Sequence, residues 1–166
     1  MRSLATKSLG IKTIFAALVA LAACASMALA EELTREQYVE RVEPICKKNS
    51  DANSRILKGV KGQVQRGDLV PAGKRFIRAS TALGKSVAQI AAVPKPPEDA
   101  VKLNKWIGYL KKEKVYLQKI GKYLKAEDKY RAQKQAVELN RNNNKANNTV
   151  ISFGFHECRI DSSKFL

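Results

Sequence analysis

The chain is poor in the residues that most often carry chemistry. It has one histidine, His156, so no cluster of histidine, cysteine and acid with the spacing of a metal centre can be assembled, and no metal is expected. A lone histidine of this kind reads as a packed or solvated side chain. Glycine is sparse, and no Gly-x-Ser-x-Gly elbow, phosphate-cradling loop or dinucleotide fingerprint occurs. Nothing resembles Cys-x-x-Cys, which argues against a redox-active pair. The paired acids Glu98-Asp99 and Glu127-Asp128 fall where helices begin, and acids there complement the helix dipole. These absences point away from an enzyme, and no cofactor is expected. Runs of β-branched residues are also few, which argues against a sheet.

What is present begins with an export leader. Met1 to Lys12 carries Arg2, Lys7 and Lys12 and no acid, and an uncharged apolar run from Ile14 to Ala23 follows. Ala28-Leu29-Ala30 then fits a small-x-small cleavage site, with Glu31 opening the mature chain. That order is a secretory signal peptide over residues 1–30, set apart from the fold. A second reading stays open: Leu21-Ala22-Ala23-Cys24 looks like a lipobox, in which Cys24 is acylated and becomes the first residue. The apolar stretch Ala25 to Ala30 is unlike the polar tether of a lipoprotein. An uncleaved anchor is the third reading, and the uncharged stretch is marginal against the roughly 20 residues that a span requires.

Three cysteines are an awkward number for an oxidising compartment, but removing or acylating Cys24 leaves Cys46 and Cys158. Exported chains meet conditions in which a disulfide persists, so one long-range bond is the expected pairing. Two free buried thiols are the alternative. The two positions are 112 residues apart, a loop for which the chain-entropy model gives about 4 to 5 kcal/mol.

Residues 31–166 have the size of one domain. The whole chain carries 31 Lys+Arg against 15 Asp+Glu, for a net charge of +16, and only three of the basic residues belong to the leader. Charged residues recur at helical spacing. The expected fold is all-α: an antiparallel four-helix bundle closed by one long-range disulfide.

The first helix has Thr34 at its N-cap, Gln37 three residues on, and Leu33 and Tyr38 spaced as a hydrophobic staple. Its apolar face runs through Val42, Ile45, Cys46, Ile56, Leu57 and Val60, with Asn49 and Asn53 among them. Pro44 removes one helical hydrogen bond, which predicts a kink, and Gly59, Gly62 and Gly67 loosen the end. A second helix is expected from about Pro71 to Ala92. Val93-Pro94-Lys95-Pro96-Pro97 interrupts it, and Pro97 suits the first position of a third.

The third helix, about Pro97 to Lys125, carries two heptad series. Leu103, Leu110, Leu117 and Leu124 form one; Tyr109, Tyr116 and Tyr123 form the other, with Tyr130 beyond the turn. At about 100° per residue the tyrosines sit on one shoulder of the leucine face, with Trp106 and Ile120 between the two lines. Lys105, Lys112 and Lys119 run beside the tyrosines. The plain reading is a bundle helix with an amphipathic edge. The sharper reading is a basic-aromatic stripe of Lys105, Lys112, Lys119, Tyr109 and Tyr116 that contacts an anionic polymer or lipid surface. Glu113 and Lys114 interrupt the alternate core position, against a long coiled coil with another chain.

The fourth helix, about Lys129 to Ser152, has a thin inner face of Ala132, Ala136, Leu139, Asn143, Ala146 and Val150. Asparagine competes for its own backbone, so the run from Asn140 to Asn148 is unusual on a helix. Asn143 is placed to pair with Asn49 or Asn53. Asn147-Asn148-Thr149 matches a glycosylation sequon, a short pattern that also arises by chance.

Glu43-Pro44-Ile45-Cys46-Lys47-Lys48-Asn49 and Phe153-Gly154-Phe155-His156-Glu157-Cys158-Arg159 together resemble a family of uncharacterised exported α-helical proteins of high-GC Gram-positive bacteria. The likeness spans the chain from Leu33 onward. It implies the disulfide and the helical fold, and carries no activity over. Two functions are therefore expected to compete. One is a non-enzymatic, extracytoplasmic domain whose basic faces, on the third helix and around Arg66, Lys74, Arg75, Arg78 and Lys85, hold an anionic envelope component. The other is an accessory domain that binds another envelope protein. No sequence-specific nucleic-acid partner is expected.

Overall fold

The computed structural model describes residues 32–160, so the leader, with Cys24 and the Ala30–Glu31 junction, lies outside the described residues. Helix α1 spans Arg35–Leu57 and starts where expected. The Thr34 hydroxyl accepts from the Gln37 backbone N–H (3.2 Å), and the Gln37 side chain accepts from the Thr34 N–H (2.9 Å). Leu33 and Tyr38 are both buried beside this box. The helix is assigned without a break through Pro44.

The loosened end of the first helix is a separate element. Lys58 ends α1, and Gly59 turns the chain with φ +78° into a short helix α2 (Val60–Arg66), which Gly67 closes at φ +86°. Val60 is buried from α2, not from α1 as its spacing suggested. Two left-handed glycines eight residues apart cannot continue one helix, since any other residue would strain there.

Helix α3 (Leu69–Ala92), helix α4 (Ala100–Lys125) and helix α5 (Lys129–Thr149) complete the set, with 3-10 turns at Pro97–Asp99 and Ile151–Phe153. The four long helices form an all-α antiparallel bundle, and no strand occurs among the described residues. Cross-contacts show the directions. Gly73 meets Gly121, and the Ser80 hydroxyl donates to the Lys114 carbonyl (3.0 Å), so α3 and α4 run oppositely. Asn142 donates to the Tyr109 carbonyl (3.0 Å) while Arg131 lies over Tyr123, so α4 and α5 do too. Arg75 near the start of α3 reaches the carbonyl of Lys58 at the end of α1.

The core follows the heptads. Leu103, Leu110, Leu117 and Leu124 are buried, as are Trp106 and Ile120 between the leucine and tyrosine lines. The tightest approach is glycine on glycine: a Cβ added at Gly73 would stand 2.6 Å from the Gly121 carbonyl oxygen, and one at Gly121 would stand 2.7 Å from that of Gly73. Backbones of α3 and α4 therefore touch at this end of the bundle.

Candidate functional site

At the other end, the chain terminus is sewn to α1. Cys46 and Cys158 form a disulfide with Cα atoms 5.0 Å apart. One helical turn before Cys46, the Glu43 carboxylate accepts the backbone N–H of His156 (2.6 Å) on one oxygen and that of Glu157 (2.7 Å) on the other. Hydrogen bonds to an ionised acceptor are the stronger kind. The acidic-Pro-Ile-Cys segment and the aromatic-Gly-aromatic-x-x-Cys segment thus join as one covalent and electrostatic clasp.

Aromatic packing roofs the bundle beside the clasp. Gly154, at φ +68°, reverses the chain so that Phe155 stacks on Trp106 (5.2 Å between centroids) and Phe153 stacks on Phe155 (5.7 Å). Arg35 pairs twice with buried Asp99 (2.7 and 2.8 Å) and its guanidinium lies 4.9 Å from the Phe153 centroid. Asn147 then holds the last described residue, Ile160, by a reciprocal pair of backbone contacts, both 2.9 Å. His156 is exposed, and no group of histidine, cysteine and acid residues able to hold a metal exists among the described residues.

Beneath this roof lies a cavity of about 90 Å³. Helix α1 contributes Asn49 and Asn53, α3 contributes Ser86, and α4 contributes Trp106 and Glu113. Three of these groups are buried without matching chemistry. The Trp106 indole N–H and the Asn53 side-chain oxygen are buried and have no hydrogen-bond partner. Glu113 is 9% exposed, and burial pushes its carboxyl up to about 8, so it is protonated at neutral pH. Leaving such atoms unpaired is costly, by about 1 to 3 kcal/mol for each group.

The anticipated contact across the bundle does not form. No hydrogen bond joins Asn143 to Asn49 or Asn53. Asn53 instead donates to Asn49 within α1 (3.4 Å), and the Asn143 oxygen is left buried and unpaired. The reason is register: residues four apart on one helix are already neighbours, whereas a cross-helix pair needs both backbones at one level. The asparagines that do bind are Asn142, on the carbonyl of Tyr109, and Asn147, on Ile160.

The basic-aromatic stripe is on the surface of α4. Lys105, Lys112 and Lys119 are exposed, and Tyr109, Tyr116 and Tyr123 are half-buried beside them. Lys112 Nζ lies 5.7 Å from the Tyr109 ring centroid, within range of a cation–π contact. Ion pairs among the described residues involve Arg35, Lys47, Arg66, Arg131 and Arg141, and none of the three stripe lysines. On α3, Lys74, Arg75 and Arg78 line a shallow groove with Lys125, whereas Arg66 is engaged by Asp68 at 3.4 Å. Lys85 is exposed elsewhere on α3.

Sequence reasoning missed Glu113, although its position was legible. It lies seven residues after Trp106 and seven before Ile120, on a line of two buried apolar residues. It also missed Glu43 and Asp99 as ligands of the terminus and of Arg35. Contacts between segments more than sixty residues apart leave no local periodicity.

Fold and clasp define a class: a small helical bundle locked by one long-range disulfide, a bond that persists under oxidising conditions. No helix among the described residues is long and apolar enough to cross a membrane. Comparison with family models, with curated proteins and with solved structures gives no match in any of the three.

Proposed function

We propose that the protein is an exported, non-enzymatic helical domain that holds an anionic component of the cell envelope through the basic-aromatic face of α4. One observation carries this reading: Lys105, Lys112 and Lys119 repeat every seven residues along one side of a rigid helix, exposed and unengaged by acids, beside half-buried tyrosines. A line of cations at about 10 Å intervals (seven residues at about 1.5 Å rise) suits a polymer or surface with repeated negative charge, not a single small anion. The tyrosine bodies pack while their hydroxyl ends stay near water, which adds hydrogen-bonding groups between the charges. The groove of Lys74, Arg75, Arg78 and Lys125 adds a second patch of the same sign on α3.

The leader supports export, and the disulfide supports the compartment. Release after cleavage at Ala30 is favoured over acylation at Cys24 by the apolar character of residues 25–30. Intact mass of the exported form separates the two, because an acylated start at Cys24 retains seven more residues and a lipid.

The test of the binding face is the triple variant Lys105→Gln, Lys112→Gln, Lys119→Gln. It should reduce retention on isolated envelopes at physiological salt by at least tenfold and flatten the salt dependence of what remains. Its thermal midpoint should stay within about 1–2 °C of wild type, since solvated surface charges contribute little to folding. Unchanged retention would remove this reading. The exposed Val115, Tyr130 and Val137 would then favour an accessory domain that docks on another envelope protein.

A further inference from the structure

The polar cavity under the aromatic roof is not explained by folding. A bundle gains nothing from burying an acid, an indole N–H and an amide oxygen that do not satisfy one another. The rest of the α4 line that holds Glu113 is apolar, and a leucine there would remove the desolvation cost. The local composition also departs from that of the chain. Around the cavity stand two acidic side chains, Glu113 and Glu157, and one guanidinium, Arg159, so that acids outnumber bases there once Glu113 ionises, in a chain whose net charge is +16. The α1 and α3 residues that line it supply amides, hydroxyls, aliphatic groups and the disulfide-bonded Cys46, and none that titrates.

We propose that this cavity binds a small primary ammonium bearing a neighbouring oxygen, of the amino-alcohol kind. The unmatched groups prescribe that chemistry. The ammonium donates to the Glu113 carboxylate and to the Asn53 side-chain oxygen, while the oxygen of the ligand accepts the Trp106 indole N–H. Space agrees: about 90 Å³ holds about three waters at about 30 Å³ each, or a solute of about four non-hydrogen atoms. The clasp of Cys46, Cys158 and Glu43 keeps the lining together. Arg159, exposed at the mouth, is placed to meet an anionic group attached to such an amine.

Protonation supplies a signature. Burial holds Glu113 neutral below about pH 8, and the ammonium needs it ionised, so binding expels one proton in that range. Affinity should therefore rise by about fifty-fold between pH 6 and pH 8. An aliphatic ammonium with a pKa of about 10 stays charged throughout. Glu157 and Arg159 are the other charged groups facing the cavity.

Trp106 is the only tryptophan in the chain, so its fluorescence reads the cavity directly. Ethanolamine should give a saturable change in emission at pH 8, weaker by about fifty-fold at pH 6. Ethylene glycol, of the same size without the charge, should give none over the same concentrations. Glu113→Gln should lower ethanolamine affinity by more than tenfold and abolish its pH dependence. Phosphoethanolamine separates the sources: tighter binding than ethanolamine, lost in Arg159→Gln, indicates a phosphorylated headgroup, and weaker binding indicates the free amine. Absence of saturation, an equal response to ethylene glycol, or an unchanged response in Glu113→Gln overturns the proposal and leaves water as the occupant. The wild-type comparison of amine with diol stands even if a variant fails to fold. The lysine stripe on α4 has no part in this site, so either proposal can fail without the other.

Discussion

The two ends of the bundle are closed by opposite means. At one end α3 and α4 meet backbone to backbone at Gly73 and Gly121, and the short helix α2 lies across an apolar groove lined by Val60, Phe76, Ile120 and Leu124. At the other, a cavity among α1, α3 and α4 is lined by polar side chains, and the closure is made by long-range chemistry: a disulfide, a carboxylate clasp and a stack of three aromatic rings. Close packing needs small residues and leaves no room for polar side chains. A covalent roof tolerates a space beneath it. The two buried acids, Asp99 and Glu113, both stand toward the cysteine end and not at the glycine contact.

Breaking the covalent closure should have the largest effect. Cys46→Ser with Cys158→Ser should lower stability by about 4 to 5 kcal/mol, the chain-entropy value for a loop of 112 residues. Urea denaturation would measure it. A loss below about 1 kcal/mol would show that the Glu43 clasp and the aromatic stack hold the terminus unaided.

Glu113→Gln sharpens the comparison through pH. The folded carboxyl sits at about 8 against an ordinary value of 4.5, so the folded state keeps a proton that the unfolded chain has released. Stability of the wild type is then fully present below about pH 4.5 and falls as pH rises to about 8, by up to about 1.4 kcal/mol per unit. Above that range both states are ionised and the slope from this group vanishes. The glutamine variant should lose this slope and exceed the wild type at pH 8 by a few kcal/mol. Denaturation midpoints across pH 4 to 9 would show it, and identical profiles would mean that Glu113 reaches water in the folded protein.

At the glycine end the expected change is smaller. Gly121→Ala sets a methyl 2.7 Å from the Gly73 carbonyl oxygen, so α3 and α4 must part. Overpacking of this kind costs about 1 to 3 kcal/mol. The Trp106 emission should stay unchanged, because the cavity lies at the other end. A shifted spectrum would mean that the two ends communicate along α4.

The helices were legible because their causes are local. The Thr34–Gln37 box, the leucine heptads of α4 and the prolines before it each act within a few residues, and the structure reproduces them. Glu113 was legible by position and hidden by type: its phase is that of Trp106 and Ile120, while its charge argued for the surface. The Asn143 pairing failed because matching polar types on two inner faces does not specify the axial offset between helices. Arg35–Asp99 and Glu43 with the His156–Glu157 backbone join residues 64 and more than 110 positions apart, where no periodicity operates.

By itself, then, the sequence determined the helical class, the core faces and, once Cys24 is set apart with the leader, the pairing of Cys46 with Cys158. All of these follow from short-range periodicity, from turn chemistry, or from there being only one way to pair two cysteines. Only the tertiary structure decided that α2 is a separate helix, that Gly73 and Gly121 touch, and that an acid, an indole and an amide share one cavity. Those depend on the depth and register at which helices pack, and that register is set by all the contacts of the bundle acting together.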